Sequence, residues 1–277
     1  MPTNREAYFE ALKLGVPEDI VLFALKEIND FDSLMLTKHF DDELEKYNLF
    51  KESIQRYIDG EMIEYIFNKS YFLSSPFYVD KNVLIPRQET EQLVLETKKL
   101  IQEMFGDKQI DIADVCCGSG AIGLNLKRLL PNNSYFLSDI SKEAIRVSKV
   151  NAEKLELTKG VSLLEGDMLK PFVDNGIKLD VIVCNPPYIN DIKTIDKRTW
   201  EQEPHQALLA DPDTRFYEEV LKAANRVLKD KYLIAFEIGE DMEVSLTELV
   251  KKYNDGWDYY FQKDIYGKTR FLFIKHQ

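Results

Sequence analysis

From about residue 84 onwards, apolar segments of this chain alternate with amphipathic ones. Runs such as LDVIVCN (179–185) and YLIAFEIG (232–239) are typical of buried strands, whereas SKEAIRVSKVNAEKL (141–155) repeats apolar residues at the spacing of a helix. Strands that alternate with helices pair in parallel through right-handed crossovers, with helices on both faces of the sheet. The pattern therefore predicts an α/β fold with a doubly wound, mostly parallel sheet.

The last two apolar segments break this alternation. DYYFQKD (258–264) and RFLFIKH (270–276) are separated only by residues 265–269, which is too short for a crossover between parallel strands. We expect these two strands to pair antiparallel at the edge of the sheet. A parallel sheet that finishes in an antiparallel hairpin resembles the Rossmann-like methyltransferase fold and differs from that of a dehydrogenase.

The first 68 residues have helical periodicity instead. Apolar residues recur three or four apart in NREAYFEALKLG (4–15), PEDIVLFALKEI (17–28) and DDELEKYNLFKESIQRYI (41–58). YFLSSPFYVD (71–80) has the pattern of a short hairpin. We predict three parts: a small helical domain over 1–68, a hairpin linker over 69–83 and a larger α/β domain over 84–277.

Charge and cysteine usage count against several classes of function. The net charge of -12 lacks the basic footprint of a duplex-binding protein, so nucleic acid is not an expected partner. The three cysteines form no Cys-x-x-Cys pair and the three histidines lie far apart in sequence, so we expect a reducing compartment and no metal. With no apolar signal core and no membrane-spanning run, we expect a cytoplasmic protein with no membrane partner.

Glycines and polar residues follow three successive strands. Cys116-Cys117-Gly118-Ser119-Gly120 follows the first strand and opens a helix whose amides favour an anionic or electron-rich group. Asp139 and Ile140 follow the second, where a carboxylate can take both hydroxyls of a ribose. Asp167 and Met168 follow the third, where they can accept the adenine amino group and cover its ring. Together they predict an adenosine cofactor with a carboxylate tail.

Each of these residues also has a structural interpretation. The glycine loop can be a mere tight turn, Asp139 can cap the following helix, and Met168 can be core packing. The span from Gly120 to Asp139 would also suit NAD, so the cofactor end alone does not decide the chemistry.

Asn185-Pro186-Pro187-Tyr188 follows the fourth strand. The prolines fix the backbone and remove two N–H donors, which leaves carbonyl oxygens free to accept. The Asn185 side-chain oxygen and the Pro186 carbonyl can then accept both hydrogens of one –NH2 group and aim its lone pair at a methyl donor. Tyr188 can stack on the flat target or lie near a sulfonium. We predict these four residues to be catalytic, with Asn185 also beside the cofactor; the alternative is a rigid loop that ends in a packed tyrosine.

Several further segments, with that one, resemble the PrmC/HemK family of glutamine methyltransferases, which modify the Gly-Gly-Gln loop of peptide chain release factors. The resemblance covers nearly the whole chain. It rests on NPPY (185–188), LIPRQETEQLV (84–94), QEPHQALLA (202–210), FEIGEDM (236–242) and KDIYGKTR (263–270). NPPY is shared with amino-methyltransferases that act on nucleic acids, whereas the segment after Pro86 is more specific to this family.

The resemblance implies a class I fold that binds S-adenosylmethionine and methylates the side-chain amide nitrogen of the loop glutamine, with release factors as protein substrates. It implies that 116–120 forms the cofactor loop, with Asp139 at the ribose, Met168 at the adenine and 185–188 around the glutamine. The helical domain would recognise the substrate. Four residues would line a cleft between the domains: Arg87, Glu89, Thr90 and Glu91.

This chain departs from the family pattern at three positions. It has Cys116 where the family usually has glycine, Gln88 where it has proline, and Met168 where an aromatic residue is common. Cofactor affinity is the property that Cys116 and Met168 put in question.

Two other functions stay open on sequence alone. An NPPY-type amino-methyltransferase could act on a base of RNA or DNA, but it would need a cationic track, and residues 1–60 contain acidic runs such as 41–43 instead. A non-catalytic module that binds the cofactor would need no clamp for an –NH2 group.

Overall fold

The computed structural model describes residues 1–254 and 256–276, and its contacts divide the chain into two compact units. The smaller unit comprises Met1–Lys69 and Lys197–Gln202, and the larger comprises Ser70–Asp196 and Glu203–Gln277. The hairpin at residues 70–77 thus groups with the larger unit. The recognition role of the smaller unit stays a prediction.

The described chain begins with helices and then alternates strands with helices. In chain order the elements are α1 (Asn4–Lys13), α2 (Glu18–Asn29), α3 (Ser33–Lys38), α4 (Tyr47–Ile58), α5 (Ile63–Ile66), β1 (Ser70–Phe72), β2 (Ser75–Phe77), α6 (Gln88–Phe105), β3 (Asp111–Val115), α7 (Ala121–Leu129), β4 (Ser134–Asp139), α8 (Lys142–Lys154), β5 (Val161–Glu165), α9 (Lys170–Asp174), β6 (Leu179–Cys184), α10 (Lys197–Gln202), α11 (Arg215–Val227), β7 (Leu228–Glu237), α12 (Glu243–Tyr253), β8 (Asp258–Lys263) and β9 (Thr269–His276). No helix within residues 1–254 and 256–276 combines the length and the apolar character needed to cross a bilayer.

The smaller unit packs its helices around an apolar core. Leu25 of α2 and Phe50 of α4 are almost completely buried there. Thr3 caps α1 through a reciprocal pair of hydrogen bonds with Glu6. The predicted helix over 41–58 begins only at Tyr47, so its first six residues form turns and short contacts instead.

In the described part of the chain, seven strands form one sheet in the order β5-β4-β3-β6-β7-β9-β8. Strands β3 to β7 are parallel, whereas β9 pairs antiparallel with both β7 and β8. This arrangement confirms the predicted fold, a mostly parallel sheet with an antiparallel terminal hairpin. All six residues of β6 are buried, as expected of a central strand with both faces covered.

The strand order reverses between β3 and β6. Val115 at the end of β3 is in register with Cys184 at the end of β6, and also with Ser138 of β4. The loops that follow these strands therefore meet at one edge of the sheet, the edge formed by the carboxyl ends of the parallel strands. In doubly wound sheets, ligands bind at this edge, beside the point where the strand order reverses.

Candidate active site

A cavity of about 460 Å³ opens at this edge of the sheet. Its volume lies in the range of small-molecule sites. It is lined by seven of the residues predicted to bind the cofactor: Cys116, Gly118, Asp139, Ile140, Asp167, Met168 and Asn185. The other three, Cys117, Ser119 and Gly120, belong to the same loop but are not among its lining residues.

The loop over 116–120 is held by its own backbone. The amide N–H of Gly120 donates to the Cys117 carbonyl over 2.7 Å, which closes a tight turn before α7. Gly118 and Gly120 have φ of 53° and 79°, in the left-handed region that glycine adopts without strain. A Cβ on Gly120 would lie 3.0 Å from Ser148 Oγ and 3.2 Å from Leu137 Cδ2. The left-handed φ and the packing of these neighbours therefore both disfavour a side chain at Gly120.

The thiols of this loop are poor nucleophiles. Burial raises the pKa of the Cys117 thiol, and a hydrogen bond with Cys184 together with burial raises that of Cys116. Because the thiolate is the reactive form of cysteine, catalysis by a thiolate has no support here.

Asp139 connects the loop to the next helix. Its Oδ2 accepts the N–H of Gly118 over 2.9 Å, and its Oδ1 accepts the N–H of Ser141 over 2.9 Å. Burial raises the pKa of Asp139 despite these backbone hydrogen bonds, which lower it. The cap of α8 is Ser141, whose hydroxyl accepts the N–H of Ala144. Each Asp139 oxygen keeps lone-pair capacity for a ligand hydroxyl.

The walls of the cavity include residues that the sequence did not single out. Val83 and Leu84 line it from the segment before α6, and Arg215 and Phe216 line it from the start of α11. Met168, at a φ of 44°, is buried with its Sδ 3.6 Å from the Cys116 Sγ. The apolar members give the cavity surfaces suited to the flat faces of a base.

The segment over 203–210 forms another wall, with Pro204, His205, Gln206, Ala207 and Leu209 among the lining residues. It is hydrogen-bonded to the strand-end loop: the Ile189 N–H donates to the Leu208 carbonyl, and the Ala210 N–H donates to the Ile189 carbonyl. The QEPHQALLA motif was the available signal for this wall, although the motif by itself assigned no role.

The NPPY segment lies directly beside the cavity. Asn185 and Pro187 line it, whereas Tyr188 is only partly exposed and packs in the adjoining core. Burial, together with the nearby Glu237 carboxylate, raises the pKa of Tyr188 to about 12. Asn185 Nδ2 donates to Thr90 Oγ1 over 3.3 Å. The predicted acceptor loop and the predicted cofactor residues thus share one cavity.

The four residues predicted to line a cleft lie at the start of α6 or just before it, and none of them is among the described residues that line this cavity. Arg87 forms an ion pair with the buried Glu203 at 2.5 Å. Glu91 accepts the N–H of Leu73 over 2.7 Å, and Thr90 is buried. Glu89 and Glu91 stand in the first turn of α6, where the helix dipole favours negative charge. Their role toward a substrate stays a prediction.

Known proteins resemble this chain over most of its length. Residues 91–207 match a family model described as "Methyltransferase small domain". The chain is 35% identical over 261 residues to the release factor glutamine methyltransferase of Bacillus cereus, covering 93% of this chain and 91% of the relative. It is 34% identical to the enzyme of the same name from Staphylococcus aureus, with 86% and 84% covered.

Solved structures show the same fold at low sequence identity. An S-adenosylmethionine-dependent methyltransferase from Agrobacterium tumefaciens matches with a TM-score of 0.52 at 15% identity, covering 76% of this chain and 69% of that one. A ribosomal protein L11 methylase from Lactobacillus delbrueckii matches with a TM-score of 0.50 at 17% identity, covering 71% and 82%. These structures confirm the class I methyltransferase fold predicted from sequence. S-adenosylmethionine, the predicted cofactor, is confirmed by the family model together with the release factor glutamine methyltransferase relatives.

Proposed function

Because the chain belongs to the release factor glutamine methyltransferase family, we propose that it methylates the side-chain amide nitrogen of the glutamine in the Gly-Gly-Gln loop of peptide chain release factors. S-adenosylmethionine supplies the methyl group, on a positively charged sulfur that makes it electrophilic. The observation that carries this proposal is the position of Asn185 on the wall of the cavity that Asp139 and Met168 also line.

The cavity residues suit this cofactor. Asp139, Asp167 and Met168 line this cavity. Asp139 would offer two carboxylate oxygens to the ribose hydroxyls, while Asp167 would accept the adenine amino group and Met168 would cover the ring. The amides at the start of α7 follow the glycine loop, and a helix N-terminus favours a carboxylate. These residues would bind and orient the donor, and Phe216 contributes an apolar wall to the cavity.

The acceptor loop addresses the low reactivity of an amide. An amide nitrogen is a poor nucleophile because its lone pair is delocalised into the carbonyl group. The Asn185 Oδ1 and the Pro186 carbonyl accept its two hydrogens, which favours a pyramidal nitrogen whose lone pair is directed at the methyl group. The net reaction forms one N–C bond, breaks one S–C bond and releases one amide hydrogen as a proton. Tyr188 and Pro187 fix the shape of this clamp.

The decisive experiment is methyl transfer from labelled S-adenosylmethionine to purified release factor, with RNA and DNA as alternative acceptors. Asn185→Ala should lower turnover by two or more orders of magnitude, roughly the loss on deleting one preorganised polar contact. Cofactor affinity, measured by calorimetry, should change much less. Asn190→Ala, an exposed position in the same loop, serves as the matched control and should keep full turnover.

The acceptor itself provides a second arm of that experiment. Replacing the loop glutamine of the release factor by glutamate removes the –NH2 group and should abolish transfer. Methylation of the glutamate variant at that position, or near-full turnover by Asn185→Ala, would show that the amide clamp is wrong. Transfer to nucleic acid instead of protein would favour the base-methylating alternative.

We also propose that the helical unit, predicted over 1–68, recognises the release factor. Its described surface exposes large apolar side chains, with Leu14 60% and Leu34 68% accessible. Burial of such side chains against a partner would contribute favourably to the free energy of binding.

A further inference from the structure

Asn185 is connected to a buried carboxyl group through the Thr90 hydroxyl. Asn185 Nδ2 donates to Thr90 Oγ1 over 3.3 Å, and the Thr90 hydroxyl donates to Glu237 Oε2 over 2.6 Å. Thr90 lies on α6 and is 5% exposed, while Glu237 ends β7 and is 3% exposed. The chain of hydrogen bonds therefore runs inward from the cavity wall into the core.

The Glu237 carboxylate determines which group donates in each of these two hydrogen bonds. An ionised carboxylate can only accept hydrogen bonds, and a threonine hydroxyl has a single hydrogen to donate. Because Thr90 donates that hydrogen to Glu237, its oxygen can only accept from Asn185. The Asn185 amide must therefore present its nitrogen to Thr90, which leaves its oxygen for the cavity.

We propose that Thr90 and Glu237 are positioning residues that hold the Asn185 amide with its oxygen toward the acceptor nitrogen. This inference rests on the proposed role of Asn185 as one half of the glutamine clamp. It also gives a function to two motifs that the clamp leaves unexplained, since Thr90 belongs to the segment over 84–94 and Glu237 to FEIGEDM.

The orientation matters because the two ends of an asparagine amide have nearly the same shape and opposite hydrogen-bonding character. If the side chain turned by half a rotation, its –NH2 group would face the –NH2 group of the substrate. Two donors would then oppose each other in a site with little water, and each unpaired buried group is unfavourable. Holding the Asn185 amide in one orientation therefore selects substrates that present N–H groups to its oxygen.

Several charged and titratable groups face Glu237 from the surrounding elements. Glu89 lies on α6 and Arg270 on β9, while Tyr188 follows β6 and Tyr217, whose hydroxyl donates to the Glu237 carbonyl oxygen, lies on α11. Burial raises the pKa of Glu237 to about 7, against the lowering effects of the hydrogen bond from Thr90, the charge of Arg270 and a side-chain hydrogen bond from Asn185.

Protonation of Glu237 changes which groups donate in this series of hydrogen bonds. A neutral carboxyl group can donate to Thr90, which frees the threonine hydrogen to be donated to the Asn185 oxygen in the reversed orientation. Turnover should therefore fall as the pH drops through about 7.

Threonine variants test the hydroxyl directly. Thr90→Val keeps the shape but removes the hydrogen bonds, and it should lower kcat about tenfold or more with little change in KM or cofactor affinity, as for other residues that orient a functional side chain. Thr90→Ser restores a hydroxyl and should recover most of kcat. Thr97→Val is the matched control, because Thr97 is buried on the same helix and its hydroxyl has no hydrogen-bond partner among the described residues. Full kcat in Thr90→Val would overturn the inference.

Glu237→Gln tests the carboxyl group. Asp180→Asn serves as the control, because Asp180 is a buried carboxylate near the amino-terminal end of β6, away from the cavity. The wild-type protein and Asp180→Asn should lose kcat on acidification through about pH 7, and Glu237→Gln should lose that acid limb. An unchanged acid limb in Glu237→Gln would contradict the proposal.

Nuclear magnetic resonance separates this inference from the proposed function. The side-chain NH2 signals of Asn185, assigned through Asn185→Ala, should shift with a midpoint near pH 7 in the wild-type protein and stay constant in Glu237→Gln. This measurement needs no substrate, so it decides the network even if release factor is not the acceptor. Signals that do not move between about pH 6 and 8 in the wild-type protein would overturn the inference.

Discussion

Cys116 holds a backbone conformation that side chains other than glycine disfavour. Its φ is 61°, and a left-handed conformation costs a residue with a Cβ about 1–2 kcal/mol. The position lies in the loop that lines the cofactor cavity, where related enzymes usually have glycine. Its thiol packs against Cys184 and the Met168 sulfur, so side-chain contacts offset part of the strain.

Substitutions at Cys116 should therefore separate strain from packing. Cys116→Gly relieves the left-handed strain but adds chain entropy that is lost on folding. The two effects partly cancel, so the free energy of unfolding should rise by at most about 1 kcal/mol. Cys116→Val places a β-branched side chain at the same φ and should lower both the unfolding free energy and cofactor affinity. Urea unfolding and calorimetry measure the two quantities. Equal stability of the glycine and valine variants would show that the backbone is not strained here.

Some residues of the site could be predicted from the sequence, and others could not. Residues that follow strands, such as Asp139 and Asn185, could be found because apolar runs locate the strand ends. The link between Thr90 and Glu237 could not, since it joins residues 147 positions apart through a buried contact. Phe216 was missed for a similar reason, because nothing in a helix sequence tells which ligand its first turn will face.

At the scale of elements, periodicity located several of the longer helices and strands, but not α6 (Gln88–Phe105). The predicted helix over 141–155 corresponds to α8 (Lys142–Lys154), and the strand candidate LDVIVCN corresponds to β6 (Leu179–Cys184). The short α3 (Ser33–Lys38) was not predicted, because six residues give too few turns for a period to emerge. Its cap at Asp32, which accepts the Met35 N–H over 2.7 Å, was the local signal available.

The exposed face of α3 provides the test of the recognition role. Leu34→Ser removes an apolar side chain that is 68% exposed, so folding should be preserved. If this helix contacts the release factor, KM for intact release factor should rise several-fold, while kcat/KM for a short peptide bearing the loop stays unchanged. Leu95→Ser, an exposed leucine on α6, is the control and should change neither value. An unaltered KM would exclude α3 from recognition.

At the scale of the whole molecule, two buried carboxyl groups give the fold a pH-dependent stability. Burial raises the pKa of both Asp114 and Glu237 to about 7, from ordinary values of 3.8 and 4.5. Between those values and 7 the native state keeps protons that the unfolded state has released. The free energy of unfolding therefore falls as the pH rises through this interval, by up to about 1.4 kcal/mol per pH unit for each group.

Asp114→Asn should remove one of these contributions. The asparagine stays neutral at every pH and can still accept the N–H of Gly123, which Asp114 accepts over 2.8 Å. Relative to the wild-type protein, the variant should become progressively more stable between about pH 5 and pH 7, and the difference should level off above that. Urea unfolding at several pH values measures it. A constant difference across the range would show that Asp114 is ionised throughout.

The position of β9 between β7 and β8 has a consequence for how the chain is made. β9 follows both neighbours in the chain, so β7 and β8 leave the ribosome before the strand that joins them. Until β9 inserts, each presents an unpaired edge, and such edges are templates for association with other chains. A polypeptide that stalls before Thr269 would expose both edges at once. Formation of this edge of the sheet therefore waits until synthesis has reached the last strand.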